Sequence, residues 1–264
     1  MLPLARILLP IDFSDRCLAM LPYARAIAAH YHAELILLHV ETDAELTKAA
    51  KDRLQDLHVR RVLYEGDPAD VIVGLTKAEK IDLIVMPTHG YSVFRRFLIG
   101  SVTAKVLHDV ACPVLTGVHM EEQAAAKPTM FSDVLCAIDL GPQSLDVLKW
   151  AWQIATGFHV PLGVLHAVLP LGSAGDLPFA GEWRAEATIR SRQAVEKLLN
   201  ESGAGPATVY IEEGEAAKTV CSFAKEAGAG LLVIGRGPKD RMNGRLTTQA
   251  YAIIRQSPCL VLSI

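Results

Sequence analysis

The 264-residue sequence has no CxxC pair: its five cysteines (Cys17, Cys112, Cys136, Cys221 and Cys259) are odd in number and widely spaced. A disulfide framework or zinc ribbon is therefore not indicated, and thiols packed inside a cytoplasmic protein are expected. It also lacks an apolar run of membrane-spanning length, although mean hydropathy is positive at +0.26. Its uninterrupted apolar stretches, such as Leu35–Leu38, Leu83–Met86, Val134–Ile138 and Leu231–Ile234, are short. They have the length and composition of parallel strands buried on both faces. No signal peptide is expected, since Arg6 and Asp12 bracket the first apolar residues and no small-residue cleavage site follows. A basic excess is missing as well. Lys and Arg total 26 against 29 Asp and Glu, for a net charge of −3, so neither half offers the grip on phosphates that nucleic-acid binding needs. Hydrophobic residues at 51% and charged residues at 21% describe an ordinary folded chain, long enough for two domains.

The chain is written twice. Ile7-Leu8-Leu9-Pro10-Ile11-Asp12-Phe13-Ser14 is echoed by Val134-Leu135-Cys136-Ala137-Ile138-Asp139-Leu140-Gly141, an offset of 127 that also pairs Leu38-His39-Val40 with Leu165-His166-Ala167. Further on, Tyr64-Glu65-Gly66-Asp67 matches Glu212-Glu213-Gly214-Glu215 at 148, and Cys112-Pro113-Val114-Leu115 matches Cys259-Leu260-Val261-Leu262 at 147. The change of offset places an insertion of about twenty residues in the second copy, around 171–182 and the helix that follows. The expected organisation is a first domain over 1–120, a linker over 121–129 that ends in Lys127-Pro128, and a second domain over 130–264.

Within the first copy, strands are expected near 6–12, 33–40, 59–64, 81–86 and 113–118. Between them, Ser14 is placed to cap a helix carrying Leu18, Leu21, Ile27 and Tyr31, and a polar helix is expected over 43–57. Asp67-Pro68 opens a third helix, and Ser101 is expected to cap a fourth carrying Val102, Val106, Leu107 and Val110. This alternation specifies an α/β fold: two tandem open parallel-sheet domains, each of about five strands with helices on both faces.

In such sheets ligands bind beyond the carboxyl ends of the strands, where the strand order reverses. Asp12 closes the first strand and can accept from ribose hydroxyls or an amino group. After the fourth strand comes Pro87-Thr88-His89-Gly90, then nine residues, then Gly100-Ser101 at a helix start. Glycine admits close backbone approach, and a helix N-terminus favours phosphate.

These segments carry a resemblance to the universal stress protein family over essentially the whole of both copies. The family's V-D-x-S resembles Ile11-Asp12-Phe13-Ser14, its G-x2-G-x9-G-S/T motif resembles 87–101, and its C-P-V-L is Cys112-Pro113-Val114-Leu115. The resemblance implies a Rossmann-like, adenine nucleotide alpha hydrolase-like fold and ATP binding, with or without Mg²⁺. It places Asp12 and Val40 (through its backbone) near adenine and ribose, and Gly90, Gly100 and Ser101 at ribose and phosphates. Pro87 departs from the motif: it stands at the first glycine and removes an N–H, so weakened binding is expected. The second copy departs further, reading Gly235-Arg236-Gly237, nine residues, Thr247-Thr248, with a Cβ at the second glycine and a first turn one residue shorter. Copy one is thus expected to bind nucleotide and copy two to serve as its built-in partner.

Other residues have plainer readings. His89, Arg95 and Arg96 are candidates for phosphate contact or for a solvated loop; His39 and His166 recur and read as strand-end residues; Cys112 and Cys259 read as small buried hydrophobes. His30-Tyr31-His32 lacks complementary ligands, so no metal site is expected. No GxxxxGK[ST] loop, no GxGxxG after the first strand and no GxSxG elbow occurs, and Phe13-Ser14-Asp15-Arg16 is not the pyrophosphate loop of an adenylyl-transferring ligase. No catalytic residue is assigned; the resemblance allows at most slow ATP hydrolysis or autophosphorylation. The expected role is an ATP-binding stress-response module that acts on a protein partner, and the alternative is a nucleotide-free interaction protein. In either, Val114–Val118 and Leu260–Ile264 are candidate strands for intramolecular domain pairing or a homodimer.

Overall fold

The short apolar runs of the first copy form β1 (Arg6–Pro10), β2 (Glu34–Glu41), β3 (Arg60–Glu65), β4 (Leu83–Pro87) and β5 (Val114–Gly117) in a computed structural model that describes residues 4–41, 60–89, 99–117, 131–169, 180–237 and 246–264. Within this unit the order is β3-β2-β1-β4-β5. Every pairing is parallel, with Leu8 opposite Ile36 on one side and Ile84 on the other. Ile7, Leu8 and Leu9 of β1 and Ile36, Leu37 and Leu38 of β2 are fully buried, each contributing roughly 1.5–3 kcal/mol of transfer free energy. The outermost strand β3 is mostly exposed and carries Arg60, Arg61 and Glu65, whereas β4 is buried throughout.

Three helices are described in this unit: α1 (Asp15–Tyr31), α2 (Pro68–Ala78) and α3 (Ser101–Asp109). Ser14 caps α1 as expected, its Oγ accepting from Cys17 N at 3.2 Å, and Asp67 caps α2 by accepting from Asp70 N at 3.0 Å. The buried face of α1 differs from the sequence expectation. It consists of Cys17, Met20, Ala24, Ile27 and Ala28, while Leu18 is 41% exposed. Cys17, Ala24 and Ala28 make much of this face small, with Met20 and Ile27 as its larger members. At α3 the expectation is also corrected. Gly100, not Ser101, is the N-cap; Ser101 is the exposed first helical residue, and no side chain caps the helix. The expected helix over 43–57, the loop holding Gly90, Arg95 and Arg96, and the linker 121–129 lie outside the described residues.

The second copy repeats the plan with β6 (Val134–Ala137), β7 (Leu162–Val168), β8 (Thr208–Glu213), β9 (Leu231–Ile234) and β10 (Leu260–Ser263), ordered β8-β7-β6-β9-β10 and all parallel. Its helices are α4 (Ser144–Gly157), α5 (Ala180–Ser202), α6 (Ala216–Glu226) and α7 (Thr248–Gln256). Glu215 caps α6 as Asp67 caps α2, accepting from the N–H groups of Ala217 and Lys218, which holds its carboxyl below the usual carboxylate range. The two copies fall in separate compact units, Met1–Met130 in one and Phe131–Pro238 with Thr247–Ile264 in the other.

Candidate functional site

In each unit the strand order reverses between the first and fourth strands of its sheet, β1 and β4 in one and β6 and β9 in the other. The two strands pair with each other, but at such a reversal the connections beyond their carboxyl ends diverge and leave a crevice. In the first unit Asp12 stands just past β1, Val40 lies at the end of β2 paired with Tyr64, and Thr88 and His89 follow β4. The start of α3 is tied to the same turn, with Gly100 N donating to Thr88 O at 2.9 Å and Thr103 Oγ1 donating to Pro87 O at 3.1 Å. The carboxyl edge of one sheet thus gathers Asp12, Val40, Gly100 and Ser101.

Asp12 sits in a local turn. Its Oδ1 accepts from Ser14 N at 3.0 Å and Ser14 Oγ at 2.7 Å. This turn obliges Phe13 to adopt φ 61°, a left-handed conformation that a phenylalanine rarely takes. Oδ2 takes part in none of the described hydrogen bonds. Asp82, the other acidic residue near these strands, is at the opposite end of β4, accepting from Ala5 N and Arg6 N at 2.8 and 2.9 Å, so the two carboxylates form no acid–base pair.

The strand-end histidines have one structural role in both copies. His39 Nδ1 lies 2.7 Å from Ile11 O and His166 Nδ1 lies 2.9 Å from Ile138 O. A carbonyl only accepts, so each Nδ1 is the donor and the tautomer is fixed.

Pro87 closes β4 opposite Gly117. The N–H groups of Ile84 and Thr88 point to the β5 side, bonding Pro113 O and Gly117 O. Alternation along the strand therefore turns the backbone nitrogen of position 87 toward β1 and the crevice, where proline has no hydrogen to offer.

The second unit has the same frame and a different filling. Asp139 Oδ1 accepts from Gly141 N at 2.8 Å and Ser144 Oγ at 3.1 Å, and Leu140 repeats the left-handed backbone at φ 60°. After β9, Arg236 N donates to Ile264 O and Arg236 O accepts from Thr247 N. These bonds match those of Thr88, so Gly235 stands at the place of Pro87 and Thr247 at the place of Gly100. Each copy thus keeps the motif glycine that the other has lost. Thr247 caps α7 with its own hydroxyl, accepting from Ala250 N at 3.2 Å. Gln143, the residue before α4, extends its side chain across the crevice so that Oε1 accepts from Gly237 N at 3.0 Å. Arg236 is wholly buried at the place of Thr88.

Sequence reading found Thr247 but missed Gln143 and Arg236. The signal for Gln143 was present, since the 127-residue offset aligns it with Arg16, but only the folded crevice shows where that side chain reaches.

Four of the five thiols are held in their neutral form. Burial pushes Cys17 up to about 12 and Cys221 and Cys259 to about 11, and it raises Cys136 as well. Thiolate nucleophiles need the opposite shift. Cys259 is buried as expected, but Cys112 is only half-buried. A cavity of about 480 Å³ lies at the amino edge of the first sheet, lined by Arg25, His32, Glu34 and Arg60 among others. Its Arg60 is already bound to Glu79 at 2.7 Å and stands 3.7 Å from Glu34. Among the described residues no helix is long and apolar enough to cross a membrane.

Comparison with known proteins agrees with this architecture. The sequence model of the Universal stress protein family matches residues 4–116 and again 130–264. A universal stress protein of Methanocaldococcus jannaschii is 30% identical over 135 residues, covering 42% of this chain and 79% of that protein. One from Mycolicibacterium smegmatis is 27% identical over 213 residues, covering 80% of this chain and 70% of its own length. In structure, a universal stress protein from Archaeoglobus fulgidus DSM 4304 superposes with a TM-score of 0.72 at 23% identity, covering 98% of this chain and 97% of that one, which shows the shared fold. With both copies matched by the family model and the parallel α/β fold repeated in each, the chain belongs to the universal stress protein family.

Proposed function

We propose that the first unit binds ATP in the crevice between β1 and β4, and that the second unit is a companion that does not bind nucleotide. The observation that carries this reading is the contrast at one position. Gly100 has φ −58° and ψ 149°, a conformation open to any residue, and Thr247 holds the same backbone bond with a side chain attached. The backbone dihedrals therefore do not require glycine at 100, although a side chain there needs the turn after β4 to yield by a few tenths of an ångström. A Cβ there would lie 3.3 Å from Thr88 O and 3.7 Å from His89 Cα, against the turn after β4. With no side chain to cap it, the N-terminus of α3 presents its N–H groups and positive dipole end to an anion. In the second unit Thr247 and Gln143 supply acceptors from within the chain.

In this reading Asp12 Oδ2 accepts from the ribose or base, the Val40 backbone meets adenine, and Gly90, Gly100 and Ser101 hold ribose and phosphates. Mg²⁺ enters with the phosphates as their counterion. Occupancy orders the segment between Gly90 and Ser101 and so changes the surface shown to a protein partner, in a cytoplasmic setting that suits buried thiols. One observation favours the alternative of a nucleotide-free interaction protein: Pro87 deletes an N–H on the crevice side of β4.

The test is titration calorimetry of nucleotide-stripped protein with ATP–Mg²⁺, beside Gly100→Thr. Expected are one nucleotide per chain in the parent and none in the variant. The variant's melting temperature should move by no more than about 4 °C, because the second unit already accommodates threonine at this place. A parent that takes up no ATP would leave the interaction-protein reading.

A further inference from the structure

The outermost strand of the first unit, β3, differs at its free edge from its counterpart β8 in the second. Which peptide groups of β3 face outward follows from the bonds of β2. Ile11 N donates to Leu38 O, and Glu34 N donates to Ala5 O, so the even-numbered residues of β2 turn their peptide groups to the β1 side. Peptide groups alternate along a strand, so Leu37 and His39 bond β3. Leu37 is opposite Arg61 and His39 opposite Leu63. In a parallel ladder each bonds the two residues that flank its partner, which uses Arg60, Val62 and Tyr64. Arg61, Leu63 and Glu65 therefore point their peptide groups away from the sheet. Those of Leu63 and Glu65 take part in none of the described hydrogen bonds.

On β8, Gly214 N donates to Val168 O, and Val168 is opposite Glu213. By the same alternation Val209, Ile211 and Glu213 point outward. Here the edge is guarded: Arg192 of α5 donates to Val209 O at 3.1 Å, and Arg184 stands 3.6 Å from Glu213. An open edge is a template for another strand, and a side chain laid on its carbonyl blocks that use.

The residues of β3 decide which strand fits. Only outward peptide groups can form bonded pairs, so Arg61, Leu63 and Glu65 are the residues that a new neighbour must meet. A second β3, laid antiparallel with Leu63 opposite Leu63, uses all three. Arg61 of each copy then faces Glu65 of the other, a cross-strand pair of opposite charge. Val62 faces Tyr64 in the closer, non-hydrogen-bonded geometry, where a β-branched side chain and an aromatic ring pack well. Tyr64 is 46% exposed, Val62 and Leu63 are half-buried, and Glu65 is exposed and joins none of the described ion pairs. Arg61 interacts elsewhere in the chain, and its five donors can hold a further carboxylate. Sliding the strands by two residues sets Arg61 against Leu63 and loses both ion pairs. The same operation on β8 sets Glu213 against Val209 and Glu212 against Tyr210, where neither carboxylate meets a cation.

We infer that the β3 edge is a self-association surface: two copies of this chain pair antiparallel through β3 about a two-fold axis at Leu63, giving an isologous dimer. Because β3 lies outside the crevice between β1 and β4, this surface does not depend on the nucleotide reading. One strand pair buries less than a standard interface, so the dimer is weak, with Kd in roughly the micromolar range.

Sedimentation equilibrium of the full chain, from about 1 µM to 1 mM, is expected to show monomer and dimer in exchange. Leu63→Pro removes the central N–H on an edge that tolerates proline, and should weaken the dimer by roughly ten- to a hundredfold. Glu65→Arg sets arginine against arginine and should weaken it by about tenfold. Arg61→Glu combined with Glu65→Arg reverses both signs and should restore it. Melting of each variant checks that the sheet is intact. A monomer at every concentration would overturn the inference, and so would a dimer indifferent to Leu63→Pro. A double variant as weak as Glu65→Arg alone would overturn the register centred on Leu63. Species that grow beyond the dimer would overturn the closed pairing in favour of a head-to-tail contact between β3 and β8.

Discussion

The first unit starts the helix after its fourth strand with no side-chain cap, and the second unit caps the equivalent helix with Thr247. Both keep the aspartate in the same tight turn, both force the next residue into left-handed backbone, and both fix a strand-end histidine on the same carbonyl. They part at two side chains. Thr247 caps its helix and Gln143 bonds the turn after β9, whereas Gly100 has no side chain to cap with. The aspartate turn is therefore common to both units and does not distinguish them. Two copies of one framework diverge through the residues that decide whether polar groups at the crevice are satisfied by the protein or by a ligand.

The largest effect is expected from making the second crevice like the first. The double variant Gln143→Arg with Thr247→Gly removes both internal acceptors and installs the first unit's residues at these two places in the sequence. Calorimetric stoichiometry should rise from one nucleotide per chain toward two, with the second site the weaker. A stoichiometry that stays at one would mean these two positions do not account for the difference.

A smaller effect separates the shared aspartates. Asp12→Ala and Asp139→Ala each delete two hydrogen bonds of a turn, and each should lower stability by about 1–2 kcal/mol in denaturant titration. Only Asp12→Ala should also weaken ATP binding, by roughly tenfold, if the proposed assignment of the nucleotide to the first crevice holds. An equal loss of ATP affinity in both variants would break the contrast between the units. The smallest effect is expected of Pro87→Gly, which gives the first unit the residue that Gly235 supplies in the second. One recovered backbone donor should tighten ATP by about two- to tenfold, and the freer unfolded chain should lower stability by about 1 kcal/mol. Unchanged affinity would show that the amide at 87 plays no part in binding.

Much of the frame was legible in the residues. Asp67-Pro68 and Ser14 start helices where their cap chemistry says they should, and the short apolar runs became buried parallel strands. These signals are local, since a cap is read by N–H groups two or three residues away. The face of α1 was not legible. Leucines marked a stripe through Leu18 and Leu21, but the sheet selected Cys17, Met20 and Ala24, which fit a close approach. Ser101 looked like a cap because serine usually is one, yet the backbone bends one residue earlier, where Gly100 N bonds Thr88 O.

By itself the sequence determined the repeat, the alternation of strand and helix, and the substitution of threonine for glycine at 247. All of these follow from residue identity and spacing along the chain. The tertiary structure alone decided that Gln143 meets Gly237 and that Arg236 is buried whole. Residues 94 positions apart meet there because parallel strands return the chain to the same edge after each crossover. No local pattern encodes which side chain will span the gap between two such ends.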